Sequence, residues 1–136
     1  MLGKVASAHE TFRYAPGKWS VREVIGHLID SERVFGYRAF SISRGEIKNL
    51  PGFDENEYML TAPYDHIPLK DLLDEFRLVR SANTAMFKNL VDEAWLRIGT
   101  ANGAAVSVRA LAFIMAGHVR HHLGILRERY ALNDST

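Results

Sequence analysis

The apolar positions of the chain fall into three long helical stripes, separated by breaks rich in glycine and proline. In the last stripe Leu111, Ile114, Met115, Ile125 and Leu126 recur at i, i+3, i+4 spacing, the period of a helix with one face in a core. Ser107 is a good N-cap for it, and the stripe predicts a helix to about Tyr130. The first of the three begins at Ser20. Ser20-Val21-Arg22-Glu23 has the form of a capping box, a serine oxygen for the Glu23 amide and a carboxylate returning to the Ser20 amide. Trp19 and Val24 stand where a hydrophobic staple would close, and a helix is expected from there to about Ser43. The middle stripe opens at Pro68, a residue tolerated in a helical first turn, and carries Leu72, Leu73, Phe76, Val79, Met86, Phe87 and Leu90. Arg80 and Asn83 interrupt its inner line, marking either a polar cavity or a solvated edge.

Between the stripes the pattern changes. Arg44 to Pro68 holds Gly45, Pro51, Gly52, Pro63 and Pro68 and reads as a long connection, a kind of segment often used as a lid. Its Phe53, Tyr58 and Tyr64 need something to pack on, and His66 reads as a solvated loop residue. Phe53-Asp54-Glu55-Asn56-Glu57-Tyr58 either folds over the mouth of a site or seals one end of the helical assembly. Asp92 to Trp95 predicts a short turn of helix, and Asn102-Gly103 predicts a tight hairpin with a small two-stranded excursion. At the start, Leu2, Val5, Ala6 and Phe12 are spaced roughly as on a helix, but Met1 to Phe12 is short beside the about 12–15 residues an isolated helix needs. Tyr14-Ala15-Pro16-Gly17 breaks it, and the polar tail from Asn133 is expected to fray. The pattern as a whole is all-α.

Composition narrows this. A chain of 136 residues, 47% of them hydrophobic, fits one domain covering 1–136. The formal net charge is +1 without clustered basic residues, which argues against nucleic acid as a partner. There is no cysteine, so disulfides are excluded and a metal site must use nitrogen and oxygen ligands. No apolar run approaches the roughly 20 residues of a membrane span, and no h-region of a signal peptide precedes the first break. A cytoplasmic protein is the expectation.

The chemistry is concentrated in the last stripe. His118 and His122 occupy its middle, where apolar residues are expected, and His121 lies to the flank. Residues four apart lie about 6 Å apart along a helix and nearly one above the other, so two imidazoles there can reach one ion. In a core, each unbound ring nitrogen is a cost, and a charged ring a larger one. A divalent metal removes the cost by taking neutral imidazole nitrogen as ligand. Catalytic zinc sites usually have three protein ligands and an open position, so a third ligand is needed. His27, on a line with Val24, Ser31, Val34 and Arg38, supplies it if that mixed line is a pocket wall rather than a half-wet helix edge. His9 reads as a packing or surface residue. Three neutral nitrogens suit Zn²⁺, Ni²⁺ or Fe²⁺. Zinc-protease chemistry is excluded because Val119, not Glu, follows His118, and a di-iron centre because no set of helical Glu-x-x-His pairs is present.

Trp19-Ser20-Val21-Arg22-Glu23-Val24-Ile25-Gly26-His27-Leu28-Ile29-Asp30, then Pro51-Gly52-Phe53-Asp54, then Ser107-Val108-Arg109 and Gly117-His118-Val119-Arg120-His121-His122 together resemble the DinB-like superfamily, over nearly the whole chain from about Tyr14. The resemblance implies a four-helix-bundle type of fold with a long crossover connection, and it implies His27, His118 and His122 as ligands of a divalent metal. It implies a metal-dependent enzyme acting on a small molecule, a thiol-dependent S-transferase using a low-molecular-weight thiol or a hydrolase, and it implies a homodimer. In that family a full helix precedes the Pro-Gly-Lys-Trp segment. Here about a dozen residues do, so the first helix is expected to be shortened or truncated. Glu23 and Asp30 lie within one turn of His27, either to orient imidazoles or as solvated salt-bridge partners. Phe53 and Tyr58 are candidates for the wall of a substrate pocket. A non-catalytic metal- or ligand-binding bundle, or a dimerisation module with structurally packed histidines, is the alternative.

Overall fold

The computed structural model describes residues 5–132. Three long helices dominate it: α1, Val21–Ser43; α3, Leu69–Lys88; and α5, Val108–Arg129. Two short ones lie between them, α2 at Glu55–Thr61 and α4 at Asp92–Leu96. A hairpin of β1, Ile98–Ala101, and β2, Ala104–Ser107, leads into α5. The fold is all-α of the four-helix-bundle type with a long crossover connection, and the hairpin is a minor addition.

Each long helix starts where its sequence directs. At α1, the Ser20 hydroxyl accepts from the Glu23 amide at 3.0 Å, and the Ser20 amide donates to the Glu23 carboxylate at 2.8 Å. At α5, the Ser107 hydroxyl accepts from the Ala110 amide at 3.0 Å. The turn of the hairpin puts Asn102 and Gly103 at φ of 51° and 75°, the positive values that a two-residue type I′ turn requires and that Asn-Gly tolerates.

α1 is the central rod, with α3 on one side and α5 on the other. Val21, Val24, Ile25, Leu28 and Ile29 of α1 join Leu69, Leu72 and Leu126 in one apolar cluster. Ala39 and Ile42 join Leu50, Ala101, Val108 and Leu111 in a second. Along α5, the histidines therefore lie between Leu111 of one cluster and Leu126 of the other.

Arg80 and Asn83 are half-buried and line a cavity together with Glu32. Glu32 of α1 is almost wholly buried, and Arg80 reaches its carboxylate at 2.8 Å while the Asn83 amide donates to it at 3.2 Å. The polar interruption in the middle stripe is thus the partner of a buried acid on the neighbouring helix.

The connection is more ordered than its sequence pattern implies. Asp54 caps α2, its carboxylate accepting from the amides of Asn56 and Glu57 at 2.8 and 3.1 Å. Leu50 bridges to the hairpin, donating to the Thr100 carbonyl at 2.9 Å and accepting from the Asn102 amide at 2.8 Å. At its far end Tyr64 is buried against α1, and its hydroxyl donates to Asp30 at 2.6 Å. The Tyr64 ring lies on Gly26, where a Cβ would collide with it.

Before α1 the described residues hold only a 3-10 turn, Ser7–His9, with Val5 packed on the core. The expected short first helix is reduced to that turn among the described residues, and Met1 to Lys4 of that expectation lie outside them. The fraying expected from Asn133 also lies outside them. His9 has a packing role: its Nε2 is 2.9 Å from the Tyr130 carbonyl oxygen and its ring stacks on Phe12. His66 is exposed, as its loop position implied. No helix among the described residues is long and apolar enough to cross a membrane.

Candidate metal centre

Two helices bring three imidazoles together. His27 comes from the first turns of α1, and His118 and His122 from successive turns of α5. One ring nitrogen from each lies within 4.8 Å of the others. The Nε2 atoms of His27 and His118 are 3.0 Å apart. Ring centroids are 4.9 Å apart for His27 and His118, 4.8 Å for His27 and His122, and 4.6 Å for His118 and His122. His121 stays at the flank, exposed, with its ring 5.2 Å from that of His122.

The surroundings keep these rings neutral. Burial is the main cause in each case. It pushes His27 down to about 4, helped by the neighbouring His118. It pushes His122 down to about 3, helped by His27, His118 and His121. His118 is lowered by burial and by His121, against the opposing charges of Glu32 and Glu55. At neutral pH all three rings therefore offer lone pairs.

The donor set fits a divalent ion. The 3.0 Å contact satisfies one N–H and one lone pair of two rings, and no hydrogen bond to His122 occurs among the described residues. Two nitrogens about 2.1 Å from one ion in tetrahedral array lie roughly 3.4 Å apart, near the 3.0 Å between His27 and His118 and inside the 4.8 Å that bounds the set. Neutral nitrogen donors without a carboxylate among them suit Zn²⁺, Ni²⁺ or Fe²⁺.

Trp19, expected only as a staple, packs its ring 4.8 Å from that of His27. A cavity of about 230 Å³ lies against His122, walled by Trp19, Val24, Asn56, Ile125 and Tyr130. The connection thus reaches the centre through α2. Asn56 lines the cavity, and the Glu55 charge is felt at His118. Both belong to the Phe53–Tyr58 stretch expected to fold over a site or to seal one end of the assembly, but neither stands out within it.

No hydrogen bond joins Glu23 or Asp30 to an imidazole among the described residues, and for Glu23 the ion pair with Arg13 matches the salt-bridge alternative. Nearer donors take both carboxylates: Glu23 binds the Ser20 amide and Arg13, and Asp30 accepts from Tyr64. Burial raises the Asp30 pKa, and the Tyr64 hydrogen bond opposes this. Phe53 and Tyr58 pack on each other, with centroids 5.3 Å apart. They wall a different cavity, farther along α1, with Val34, Tyr37 and Arg38.

Comparison with known proteins agrees with this architecture. Among curated proteins none matches the sequence. YfiT from Bacillus subtilis, described as a probable metal-dependent hydrolase with an unusual four-helix bundle topology, superposes with a TM-score of 0.73 at 18% identity, over 90% of this chain and 74% of that one. The DinB-like protein YjoA from Bacillus subtilis superposes with a TM-score of 0.64 at 22% identity, over 96% and 78%. A mycothiol-dependent maleylpyruvate isomerase gives 0.68 at 16% identity, over 90% of this chain but only 52% of its own length. These likenesses establish the fold. The model of the DinB superfamily matches residues 7–126, the span that contains all three histidines and the helices that present them. The chain is a member of the DinB superfamily.

Proposed function

We propose that this protein is a divalent-metal-dependent enzyme in which His27, His118 and His122 hold the ion, Zn²⁺ or Ni²⁺, beside a small-molecule pocket. The observation that carries the reading is the convergence of three neutral imidazoles within 4.8 Å at the edge of a cavity. A bound ion there supplies Lewis-acid chemistry, acidifying a thiol or a water that reaches it. The likeness to a metal-dependent hydrolase and to a thiol-dependent isomerase supports both nucleophiles.

The chain's own residues have distinct parts in this reading. The Trp19 ring packs on His27 and helps to bury it. Packing of α5 on α1 holds His118 and His122 toward His27, so little order has to be gained when an ion binds. Glu55, at the start of α2, is close enough for its charge to act on His118. Asn56 presents an amide to the cavity for orienting a polar substrate.

The test is metal analysis of full-length protein purified without a nickel column, followed by activity assays. One molar equivalent of Zn²⁺ or Ni²⁺ is expected, lost in His118→Ala and mostly kept in His121→Ala. Equal losses in the two variants would overturn the ligand assignment. Turnover of electrophiles only with an added low-molecular-weight thiol identifies a transferase, and turnover of ester or amide probes without thiol identifies a hydrolase.

A further inference from the structure

Arg38 is the one buried cation among the described residues without an acid. It is nine-tenths buried on α1, on the helical line that passes through His27, Ser31 and Val34. Its Nη2 donates to the Pro51 carbonyl at 2.8 Å, its guanidinium lies 5.8 Å from the Phe35 ring centroid, and its Nε has no partner. Burial lowers its pKa, with no carboxylate opposing. The other enclosed charges of the chain are treated differently: Glu32 has Arg80, and Arg22 has Glu10 at 2.6 Å. A single carbonyl is poor compensation for a desolvated guanidinium.

The guanidinium also borders space. A cavity of about 290 Å³ is walled by Arg33, Val34, Tyr37, Arg38, Phe53 and Tyr58. None of its walls is acidic, and Arg33 is already neutralised by Glu75 at 2.7 Å. The phenyl ring of Phe35 stands between this cation and the metal centre: its centroid is 5.7 Å from that of His118.

We infer that this cavity is an anion subsite, in which Arg38 holds the carboxylate or phosphate of a small organic substrate while Tyr37, Phe53 and Tyr58 cover its apolar part. A guanidinium fork matches both groups in geometry and charge. The aromatic rings provide surface for the remainder of the molecule. The subsite explains why a cation is kept at a position where the unliganded protein gains little from it. Its part in substrate choice rests on the metal-dependent reading above, but its existence does not.

Phenylacetate and phenyl phosphate are the probes, with phenylacetamide as the neutral control, titrated calorimetrically into the full chain in metal-loaded and chelated forms. Saturable binding of at least one anion is expected in both forms, with phenylacetamide at least about tenfold weaker. The stronger anion names the group the subsite prefers. R38M is expected to weaken anion binding at least about tenfold while melting no lower than the wild-type chain, and His118→Ala to leave anion binding unchanged. If R38M does not fold, R38Q, which keeps a donor for Pro51, decides by the same titration. Absence of saturable anion binding in the wild-type chain, or unchanged binding in the folded Arg38 variant, overturns the inference. A wild-type chain that takes up neither Zn²⁺ nor Ni²⁺ yet binds the anion overturns only the metal-dependent reading.

Discussion

A histidine on an apolar stripe is informative because it is expensive there. His118 and His122 could be identified from sequence for that reason, and His27 followed once a third nitrogen was needed. Trp19, Glu55 and Arg38 could not be found in the same way. A tryptophan before a helix has an ordinary use as a staple, a glutamate in a loop is ordinarily solvated, and an arginine on a mixed helical line is ordinarily at the surface. Their roles depend on which other segment comes to lie beside them, and no local pattern encodes that. The lowered pKa values of the three imidazoles give a pH dependence that can be measured without metal. Below about 6.5 the unfolded chain takes up protons that the folded rings refuse, so stability falls with pH; above that value the contribution is fully present. The decline extends down to about 4 for His27 and about 3 for His122. The urea midpoint of the chelated protein is expected to be flat above pH 7 and to drop between pH 6.5 and 4, and His122→Ala should make the drop shallower.

At the scale of elements, the three long helices and their starting residues were legible because period, caps and the tolerated proline agree. α2 was not, since only Met59 of its seven residues is buried and no stripe forms. The Asn-Gly turn announced the hairpin, yet nothing in the sequence showed Leu50 adding itself to the edge of it. Contacts between elements give two predictions. Gly26→Ala places a Cβ in the Tyr64 ring, and with no easy escape for a ring held by Asp30 it should cost about 1–3 kcal/mol in chemical denaturation. Arg80→Ala leaves the Glu32 carboxylate buried with Asn83 as its remaining donor; a loss of about 3 kcal/mol is expected, and Glu32→Gln in the same background should restore part of it.

For the whole molecule, the candidate ligands come from two helices that are 91 residues apart at His27 and His118. An ion shared between them binds the folded chain and not the unfolded one. With free metal at 100 times its dissociation constant, the gain is about 2.7 kcal/mol. For a chain of 136 residues that corresponds to a rise of roughly 8–11 °C in Tm. Calorimetry with Zn²⁺ and with chelator should show that rise in the wild-type chain and none in His118→Ala. An unchanged Tm in the wild-type chain would count against a site preformed between α1 and α5.

The union of Leu50 with the hairpin, together with the Tyr64 hydroxyl on Asp30, suspends the intervening strip like a sling from two hooks. Met59 of the short helix is buried in the core between those hooks, so the strip is pinned at its middle as well as at both ends. Glu55 and Asn56 therefore owe their place to anchors at Leu50, Met59 and Tyr64, and loosening the Asn102 hook is expected to disturb the α2 side of the centre without altering a single histidine.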